Sequence, residues 1–351
     1  MFFSLTDEQR ALRSTVRELL ADRFPLSAVR ALYDDDGSDG DPAELWKAIG
    51  EQGWLAVLIP EDHDGLGLGL LDAAVLARCW GEGCVPGPFL PTLVAAEAIR
   101  LGGSAEQKSS WLPRVAAGEA KLTLAHGGRV TQADGKLSGT VHHVEYAHVA
   151  DALVVAADGG RLWLVDPRGA GVTVTVTKAL DRSTVLTTVV LEGAAGQELP
   201  GAVLPDVLDR GAVLYANDLA GVARVALDRT VDYDKTREQF GRPVGSFQAI
   251  KHALADLHVA VTMAEHAGWY AAHALDAGLP DAALAVSVAK SKAGDAAREA
   301  TAAMIQYHGG IGYTWEHDAH LFFKRAKRAE YQYGDPAEHR ERIARLVVDG
   351  A

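Results

Sequence analysis

Apolar residues recur at helical spacing at the start of the chain. In LTDEQRALRSTVRELLADRF the recurring positions are Leu12, Val16, Leu19 and Leu20. Thr6 is placed to cap this helix, and Pro25 ends it. The pattern continues over residues 5–118, so we predict a helical first region.

The pattern changes to short alternating segments from about Lys121 to Gly196. The segments are DALVVAA, RLWLVD, GVTVTVT and TVLTTVVLEG, separated by Gly and Asp turns. Alternation and β-branched residues are typical of strands, and this stretch therefore predicts a small β-domain.

After Pro205 the helical pattern returns. In SFQAIKHALADLHVAVTMAEHA, which Ser246 is predicted to cap, the apolar stripe is Ile250, Leu254, Leu257 and Val261. We therefore expect a mainly α fold with a small β-domain. Its parts are an N-terminal helical domain at 1–120, the β-domain at 121–203 and a C-terminal helical bundle at 204–351.

Composition narrows the function classes. The 351 residues are 48% hydrophobic, enough for a large core, and carry a formal net charge of −13. Such a charge repels nucleic acid and anionic lipid, and no run reaches the roughly 20 apolar residues of a membrane span. We expect a cytoplasmic protein with neither nucleic-acid nor membrane partners.

Two motif-like stretches carry little weight. Gly65, Gly67 and Gly69 suggest a dinucleotide fingerprint, but Leu70 stands where its third glycine is required. We interpret them as a loop before a helix that begins near Leu71. A lone Cys79 and Cys84 give neither a disulfide framework nor a zinc site, so we interpret both as packing residues.

Two histidine pairs also lack a metal-binding pattern. His142 and His143 are adjacent on a predicted strand, where neighbours face opposite sides. His317 and His320 are spaced for one helix face but have no third ligand, which favours surface roles. No metal is predicted.

Four longer stretches carry a family resemblance. They are LTDEQRALR, IPEDHDGLGLGLLD, KTREQFGRPVGSFQAIKH and QYHGGIGYTWEHDAHLFFKRAK. In order and spacing the chain resembles the acyl-CoA dehydrogenases along nearly its whole length. The resemblance implies FAD as cofactor, an acyl-CoA substrate, and electron-transfer flavoprotein as electron acceptor.

The resemblance also implies which residues bind the cofactor. In this family the KTREQFGRP turn reaches the FAD of a neighbouring subunit. Arg237 then offers a fork of donors to the pyrophosphate, Gln239 and Gln248 offer amides, and Phe240 an apolar face. The resemblance assigns Gln306, Gly309 and Gly310 to the adenosine-diphosphate half of FAD.

The chain departs from the family where the catalytic base belongs. Members remove the substrate α-proton with a glutamate, usually in a Tyr-Glu-Gly-Thr stretch. The corresponding text is AEYQYGDPAEH, which puts Tyr333 or Gly334 at that position. Only a two-residue offset brings in Asp335, one methylene shorter than glutamate.

A second known position for the base is also empty. It lies on the first long helix of the C-terminal domain, where this chain has Gly211 and Ala212. Asp209 and Arg210 lie two residues early, which turns them by about 200°, and we interpret them as a solvated pair.

The β-domain departs as well. LTLAHGGRVTQADG replaces the family's threonine- and serine-rich flavin loop, and His143, Val144 and Glu145 replace a Trp-Ile-Thr flavin cover. This pattern resembles the degenerate, non-catalytic subunit of heteromeric acyl-CoA dehydrogenases. It predicts a heterotetramer in which a catalytic paralogue shares its FAD site with this chain. Two alternatives remain: a homo-oligomeric flavoenzyme using Asp335, and a non-enzymatic scaffold or acyl-CoA binding module.

Overall fold

A computed structural model describes residues 4–35, 37–201 and 203–348. Over these residues the chain is mainly α, with an N-terminal helical domain, a central β-sheet domain and a C-terminal helical bundle, as expected. The helices are α1 (Asp7–Arg23), α2 (Leu26–Asp34), α3 (Ala43–Glu51), α4 (Leu70–Gly83), α5 (Phe89–Gly102), α6 (Ala105–Ala116), α7 (Leu204–Thr236), α8 (Gln248–Asp276), α9 (Ala282–Tyr307), α10 (Ala319–Ala329) and α11 (Pro336–Val348). The strands are β1 (Leu122–Ala125), β2 (Arg129–Ala133), β3 (Lys136–Glu145), β4 (Ala152–Ala157), β5 (Arg161–Val165), β6 (Val172–Thr177), β7 (Leu186–Leu199), β8 (Glu238–Gln239) and β9 (Arg242–Pro243).

The chain forms two compact units. The first comprises Met1–Asp34, Leu70–Val85 and Gly211–Ala351, and the second comprises Asp35–Gly69 and Pro86–Arg210. Strands β1 to β7 belong to the second unit together with α3, α5 and α6. The three-part division at residues 120 and 203 stays a prediction.

The second unit is built on a seven-stranded sheet. Its order is β1-β4-β5-β7-β3-β2, with β6 also paired to β7. Strand β1 runs parallel to β4, and the other pairs are antiparallel. Its core side chains include Leu137, Val141, Leu153 and Trp163. Thr92 of α5 ties a helix to the sheet, because its hydroxyl is hydrogen-bonded to both the N–H and the carbonyl of Leu122.

Local signals in this unit explain the glycine loop. A side chain at Gly65 would overlap the Ile59 backbone and lie 2.6 Å from its Cβ, and Gly67 has a φ of +59°. Both glycines therefore serve the turn, which confirms the structural interpretation. Helix α4 follows at Leu70, one residue from the predicted start.

The first unit is a bundle in which α7, α8 and α9 are the longest helices. Thr6 caps α1 as predicted, with its hydroxyl accepting from the Gln9 N–H at 3.2 Å. Three members of the predicted apolar stripe of α8, Leu254, Leu257 and Val261, are buried, and Ile250 in its first turn is half-buried.

The predicted Ser246 cap is wrong. Phe247 occupies the N-cap of α8 and makes no side-chain capping bond. Ser246 lies instead in a short 3₁₀ turn, and its buried Oγ has no hydrogen-bond partner among the described residues. The intervening Phe247 places the serine one residue too early to reach the free N–H groups of the first turn.

Buried ion pairs hold the bundle together. Arg325 is 2.5 Å from Asp218, and both side chains are almost fully buried. Arg325 also donates to the Val85 carbonyl at 2.9 Å. Removing one member of such a pair strands the other charge, which typically costs about 3–5 kcal/mol. Among the described residues, no helix is both long and apolar enough to span a bilayer.

Candidate functional site

The KTREQFGRP motif forms a tight hairpin between two long helices. Helix α7 ends at Thr236, and β8 pairs with β9 across the two residues Phe240 and Gly241. Both have positive φ, +55° and +75°. Positive φ at both central residues defines a type I′ turn, in which asparagine and glycine are preferred.

Phe240 is an unusual residue for that position. Its side chain is 93% exposed. A left-handed conformation costs a residue with a Cβ about 1–2 kcal/mol. Because the ring is exposed, its packing in this chain offsets little of that cost. Such local strain at an exposed aromatic is typical of binding segments. The Phe247 ring stands edge-on to Phe240, with centroids 6.2 Å apart, and therefore supports it from below.

The predicted cofactor ligands of this motif lie together. The backbone N–H of Arg237 donates to Tyr233 at 2.8 Å, and its carbonyl accepts from Val244 at 2.8 Å. Its guanidinium is exposed and has no carboxylate partner within residues 4–35, 37–201 and 203–348. Gln239 is exposed in β8, and Gln248 is the exposed first residue of α8. The hairpin thus presents the Arg237 guanidinium on a fixed backbone, while the Gln239 amide already donates one N–H to the Glu238 carbonyl at 2.8 Å.

The second motif ends α9. Gly309 has a φ of +64°, the left-handed conformation expected at a helix C-terminus, and confirms the predicted turn. A Cβ at Gly309 or Gly310 would meet no atom within 4 Å, so this backbone is open to an incoming group. Gln306 is exposed in the last turn of α9.

A ring stack joins the two motifs. Tyr233, four residues before Arg237, stacks on His308 with centroids 4.3 Å apart. His308 directly precedes Gly309 and is itself 4.5 Å from the His317 ring. Burial lowers the pKa of both histidines, which favours their neutral form. The stack therefore fixes the hairpin and the glycine turn in the same part of the first unit.

The predicted shared helix face of His317 and His320 is wrong. His317 precedes α10 and accepts from the Ala319 N–H at 3.2 Å, so the two residues do not share a helix face. His320 stacks on Trp315 with centroids 4.6 Å apart. Both rings are half-buried packing groups.

Asp234 is a polar residue that sequence reasoning missed. Its side chain is 1% exposed, and neither carboxylate oxygen has a hydrogen-bond donor among the described residues. Burial raises its pKa to about 6. Nothing local marks it, because TVDYDKT reads as an ordinary polar helix end.

Two positions where the family motifs place the catalytic base are Gly211 and Tyr333. In this chain they face each other. A Cβ at Gly211 of α7 would lie 2.6 Å from Cδ1 and 2.8 Å from Cζ of Tyr333. The Tyr333 ring also lies 5.1 Å from the Tyr215 ring. One aromatic ring therefore fills the space that a side chain at either position would need. Ala212 beside Gly211 is buried.

A buried lysine anchors the segment that carries Tyr333. Lys290 of α9 is 0% exposed and donates to the carbonyls of Glu330 and Gly334 at 2.8 and 2.7 Å. Burial lowers its pKa to about 7. Tyr333 and Gly334 both have positive φ, and the two bonds from Lys290 hold this turn closed.

Asp335 is a helix cap. Its Oδ1 accepts from the N–H groups of Ala337 and Glu338, both at 2.8 Å, and its own N–H donates to the Glu338 carboxylate at 2.9 Å. This reciprocal arrangement is a capping box at the start of α11. The carboxylate is engaged by its own backbone, which argues against Asp335 as a proton acceptor.

The prediction that Asp209 and Arg210 form a solvated pair is wrong. Arg210 lies 3.0 Å from Glu97, whose side chain is 1% exposed. The buried carboxylate of Glu97 attracts the guanidinium because it needs a counter-charge. Arg210 is thus part of a partly buried ion pair with a residue remote in sequence.

The strand residues that replace the flavin cover form an irregular segment. The pairing of β3 with β7 shifts register between Val141 and Val144, and His143 has a φ of +58°. Val144 and Glu145 are buried. Side chains therefore do not alternate between the two faces of the strand here. The ring centroids of His142 and His143 lie 6.2 Å apart instead of on opposite faces. The described residues contain no group of three side chains suited to hold a metal.

One further sequence interpretation concerns the two cysteines. Cys79 and Cys84 are buried and form no disulfide, in agreement with packing roles, and burial raises the Cys79 pKa to about 12. His126 directly follows the last residue of β1. Burial lowers its pKa to about 4, so it is a neutral imidazole.

Comparisons with known proteins agree with this architecture. The acyl-CoA dehydrogenase N-terminal domain matches residues 6–119, and the acyl-CoA dehydrogenase C-terminal domain matches residues 202–348. Acyl-CoA dehydrogenase IpdE2 of Mycobacterium tuberculosis is 35% identical over 340 residues, 96% of each chain. IpdE2 of Mycolicibacterium smegmatis is 33% identical over 97% of this chain and 98% of its own.

Two solved structures are similar over almost the full length. A variant of the Tcur3481-Tcur3483 steroid ACAD is 31% identical, with a TM-score of 0.90 and 98% of both chains covered. The ChsE4-ChsE5 complex from Mycobacterium tuberculosis is 27% identical, with a TM-score of 0.91 and 99% of both chains covered. The fold defines a mainly helical protein with an inserted β-sheet domain. The chain belongs to the acyl-CoA dehydrogenase family of oxidoreductases.

Proposed function

We propose that this chain is the non-catalytic subunit of a heteromeric, FAD-dependent acyl-CoA dehydrogenase. It assembles with a catalytic paralogue and completes that paralogue's FAD site. The contributed residues are Arg237, Gln239, Phe240, Gln248, Gln306, Gly309 and Gly310. The cofactor is FAD, shared across the subunit interface.

The observation that carries the proposal is the Phe240 hairpin. A phenylalanine that is 93% exposed in a left-handed conformation is costly in an isolated chain. Cover by a partner and its cofactor removes the ring from water and compensates this cost. The free guanidinium of Arg237 lies in the same hairpin, where an anionic pyrophosphate would complete it.

The donor set fits the cofactor. Arg237 provides charge and directed N–H groups for phosphate oxygens, and the Gln239 and Gln248 amides provide neutral hydrogen bonds. The open Gly309-Gly310 backbone admits close approach of the adenosine-diphosphate half. When bound, FAD supplies the hydride acceptor of an acyl-CoA dehydrogenation. Electron-transfer flavoprotein is the proposed next acceptor.

The chain's own acyl site is proposed to be inert. Removal of an α-proton needs a positioned base of suitable pKa. The Tyr333 ring occupies both candidate base positions, and the Asp335 carboxylate caps α11. Catalysis then depends on the partner's base, and this chain binds, orients and excludes water at the shared cofactor.

The relatives support a two-chain assembly and a bulky substrate. Two of the similar solved structures are named for two components, Tcur3481-Tcur3483 and ChsE4-ChsE5. The first is described as a steroid ACAD. We propose a bulky acyl-CoA thioester of the steroid type as substrate, by analogy with that relative.

Visible absorption near 450 nm, typical of bound flavin, tests the proposal. The chain is purified alone and after co-expression with a full-length catalytic paralogue. Flavin in the co-purified assembly, with none on the chain alone, is the expected result. Flavin on the chain alone that bleaches with an acyl-CoA would contradict the proposal and support a stand-alone enzyme. No flavin in either sample would leave a scaffold.

A further inference from the structure

The second unit contains a cavity whose lining residues belong to none of the candidate site positions above. It lies between α6 and the sheet, with a volume of about 520 Å³, within the usual range for small-molecule sites. Asp151 and Ala152 at the start of β4 line it, and so does Val165 at the end of β5. Because β1 and β4 are parallel, the cavity lies at the opposite end of the sheet from His126.

Two guanidinium groups face this cavity. Arg114 of α6 stacks on Trp111, with its Cζ 4.9 Å from the ring centroid, and both residues line the cavity. Arg168 lines it from the loop after β5. Neither guanidinium has a carboxylate within ion-pair distance in the described part of the chain. Two unpaired cations at one cavity attract an anionic group.

The loop that carries Arg168 is held in place by its own sequence. The Asp166 carboxylate accepts from the Arg168 N–H at 2.8 Å, and the Asp166 carbonyl accepts from the Gly169 N–H at 3.0 Å. Pro167 between them is buried. Asp-Pro-x-Gly is a favoured β-turn sequence. The backbone that carries Arg168 is therefore already ordered, and binding at this loop costs little further backbone entropy.

Two carboxylates share the cavity and limit what binds there. Asp151 accepts from the Lys121 N–H at 2.8 Å through one oxygen, and Asp166 uses one oxygen for its turn. The second oxygen of each carboxylate can accept a hydrogen bond from a bound molecule. Together with the two arginines they make the formal charge of the lining neutral, which disfavours polyanions such as nucleotides. Trp111, Leu164 and Val165 add apolar surface.

We propose that this cavity binds a small amphipathic acid that carries a hydrogen-bond donor beside its carboxylate, such as an aromatic amino or hydroxy acid. Its carboxylate lies on Arg114 and Arg168, its donor group on Asp151 or Asp166, and its ring on Trp111. Guanidinium groups match carboxylates in planar bidentate geometry, and the ring removes apolar surface from water.

Three probes with one ring and different charges test this. L-Phenylalanine, 3-phenylpropanoate and 2-phenylethylamine are titrated into the full-length chain by calorimetry. We expect phenylalanine to bind most tightly, the acid next and the amine most weakly. Equal affinities for all three, or tightest binding of the amine, would overturn the proposal, as would the absence of heat for every probe.

Substitutions locate the binding. Arg114→Gln and Arg168→Gln are each expected to weaken phenylalanine about tenfold or more, since a charge-assisted hydrogen bond is worth roughly 1.5–3 kcal/mol. Asp166→Asn keeps the oxygen that forms the turn and is expected to reduce the preference of phenylalanine over phenylpropanoate. Arg129→Gln, on exposed β2 outside the cavity, is the matched control. Loss of binding in Arg129→Gln, or unchanged binding in both cavity variants, would refute the assignment.

Discussion

Replacing Gly211 with alanine puts a methyl group where the Tyr333 ring lies. The new Cβ would be 2.6 Å from Cδ1, far inside van der Waals contact. Overpacking of this kind costs about 1–3 kcal/mol. Alanine regains about 1 kcal/mol of helix propensity over glycine, so Gly211→Ala alone is expected to destabilise the chain by about 0–2 kcal/mol.

The double variant isolates the contact. Tyr333→Ala removes a half-buried ring and is expected to cost about 2 kcal/mol, less than a fully buried aromatic. Because the added methyl group then has space, Gly211→Ala in the Tyr333→Ala background is expected to be neutral or stabilising. The two changes should therefore be non-additive by about 1–3 kcal/mol.

Urea unfolding followed by circular dichroism measures all four proteins of this cycle. The matched control is Tyr331→Ala, two residues away and 63% exposed. Gly211→Ala and Tyr331→Ala should be additive within about 0.5 kcal/mol. Additive effects of Gly211→Ala and Tyr333→Ala would show that the ring does not fill this space, and the argument for an inert acyl site would lose its main support.

Three further outcomes are expected. Phe240→Asn should stabilise the isolated chain by about 1 kcal/mol, because asparagine tolerates the left-handed turn. Flavin retention by the assembly should fall. Lower thermal stability of the variant chain would contradict this prediction. Asp335→Asn should leave turnover of the assembly unchanged, and Asp335→Ala should cost about 0.5–2 kcal/mol of stability because the helix cap is lost. Abolished turnover in the Asp335→Asn assembly would identify Asp335 as a base instead. The folded-state pKa of Lys290 is about 7, against 10.5 for an ordinary lysine. Its pH-linked contribution to stability is therefore complete above pH 10.5 and lost as the pH falls through 7, and Lys290→Met should flatten that dependence in urea unfolding at pH 7, 8.5 and 10.

Local signals in the sequence were sufficient for several features. The Thr6 cap, the start of α4 and the left-handed Gly309 all follow from rules that act within one turn. The Asp335 cap was available by the same rules, since Asp-Pro-Ala-Glu combines an N-cap, a first-turn proline and a glutamate three residues on.

Other features depend on contacts that sequence spacing does not encode. Tyr333 meets Gly211 across more than a hundred residues, and Arg210 meets Glu97 in the same way. The partnerless carboxylate of Asp234 likewise results from tertiary burial, because its neighbours along the helix are unremarkable. Periodicity gives the face of an element but not which remote residue packs on it.

The central claim is that this chain completes a partner's FAD site. The most direct test is the ratio of flavin to protein in the co-purified assembly, with Arg237→Gln in this chain and an unaltered partner. Arg23→Gln, an exposed arginine paired with exposed Asp22, is the control. We predict that Arg237→Gln leaves the assembly intact by size-exclusion chromatography and lowers its flavin content several-fold, while Arg23→Gln changes neither. Full flavin content in the Arg237→Gln assembly would contradict the account.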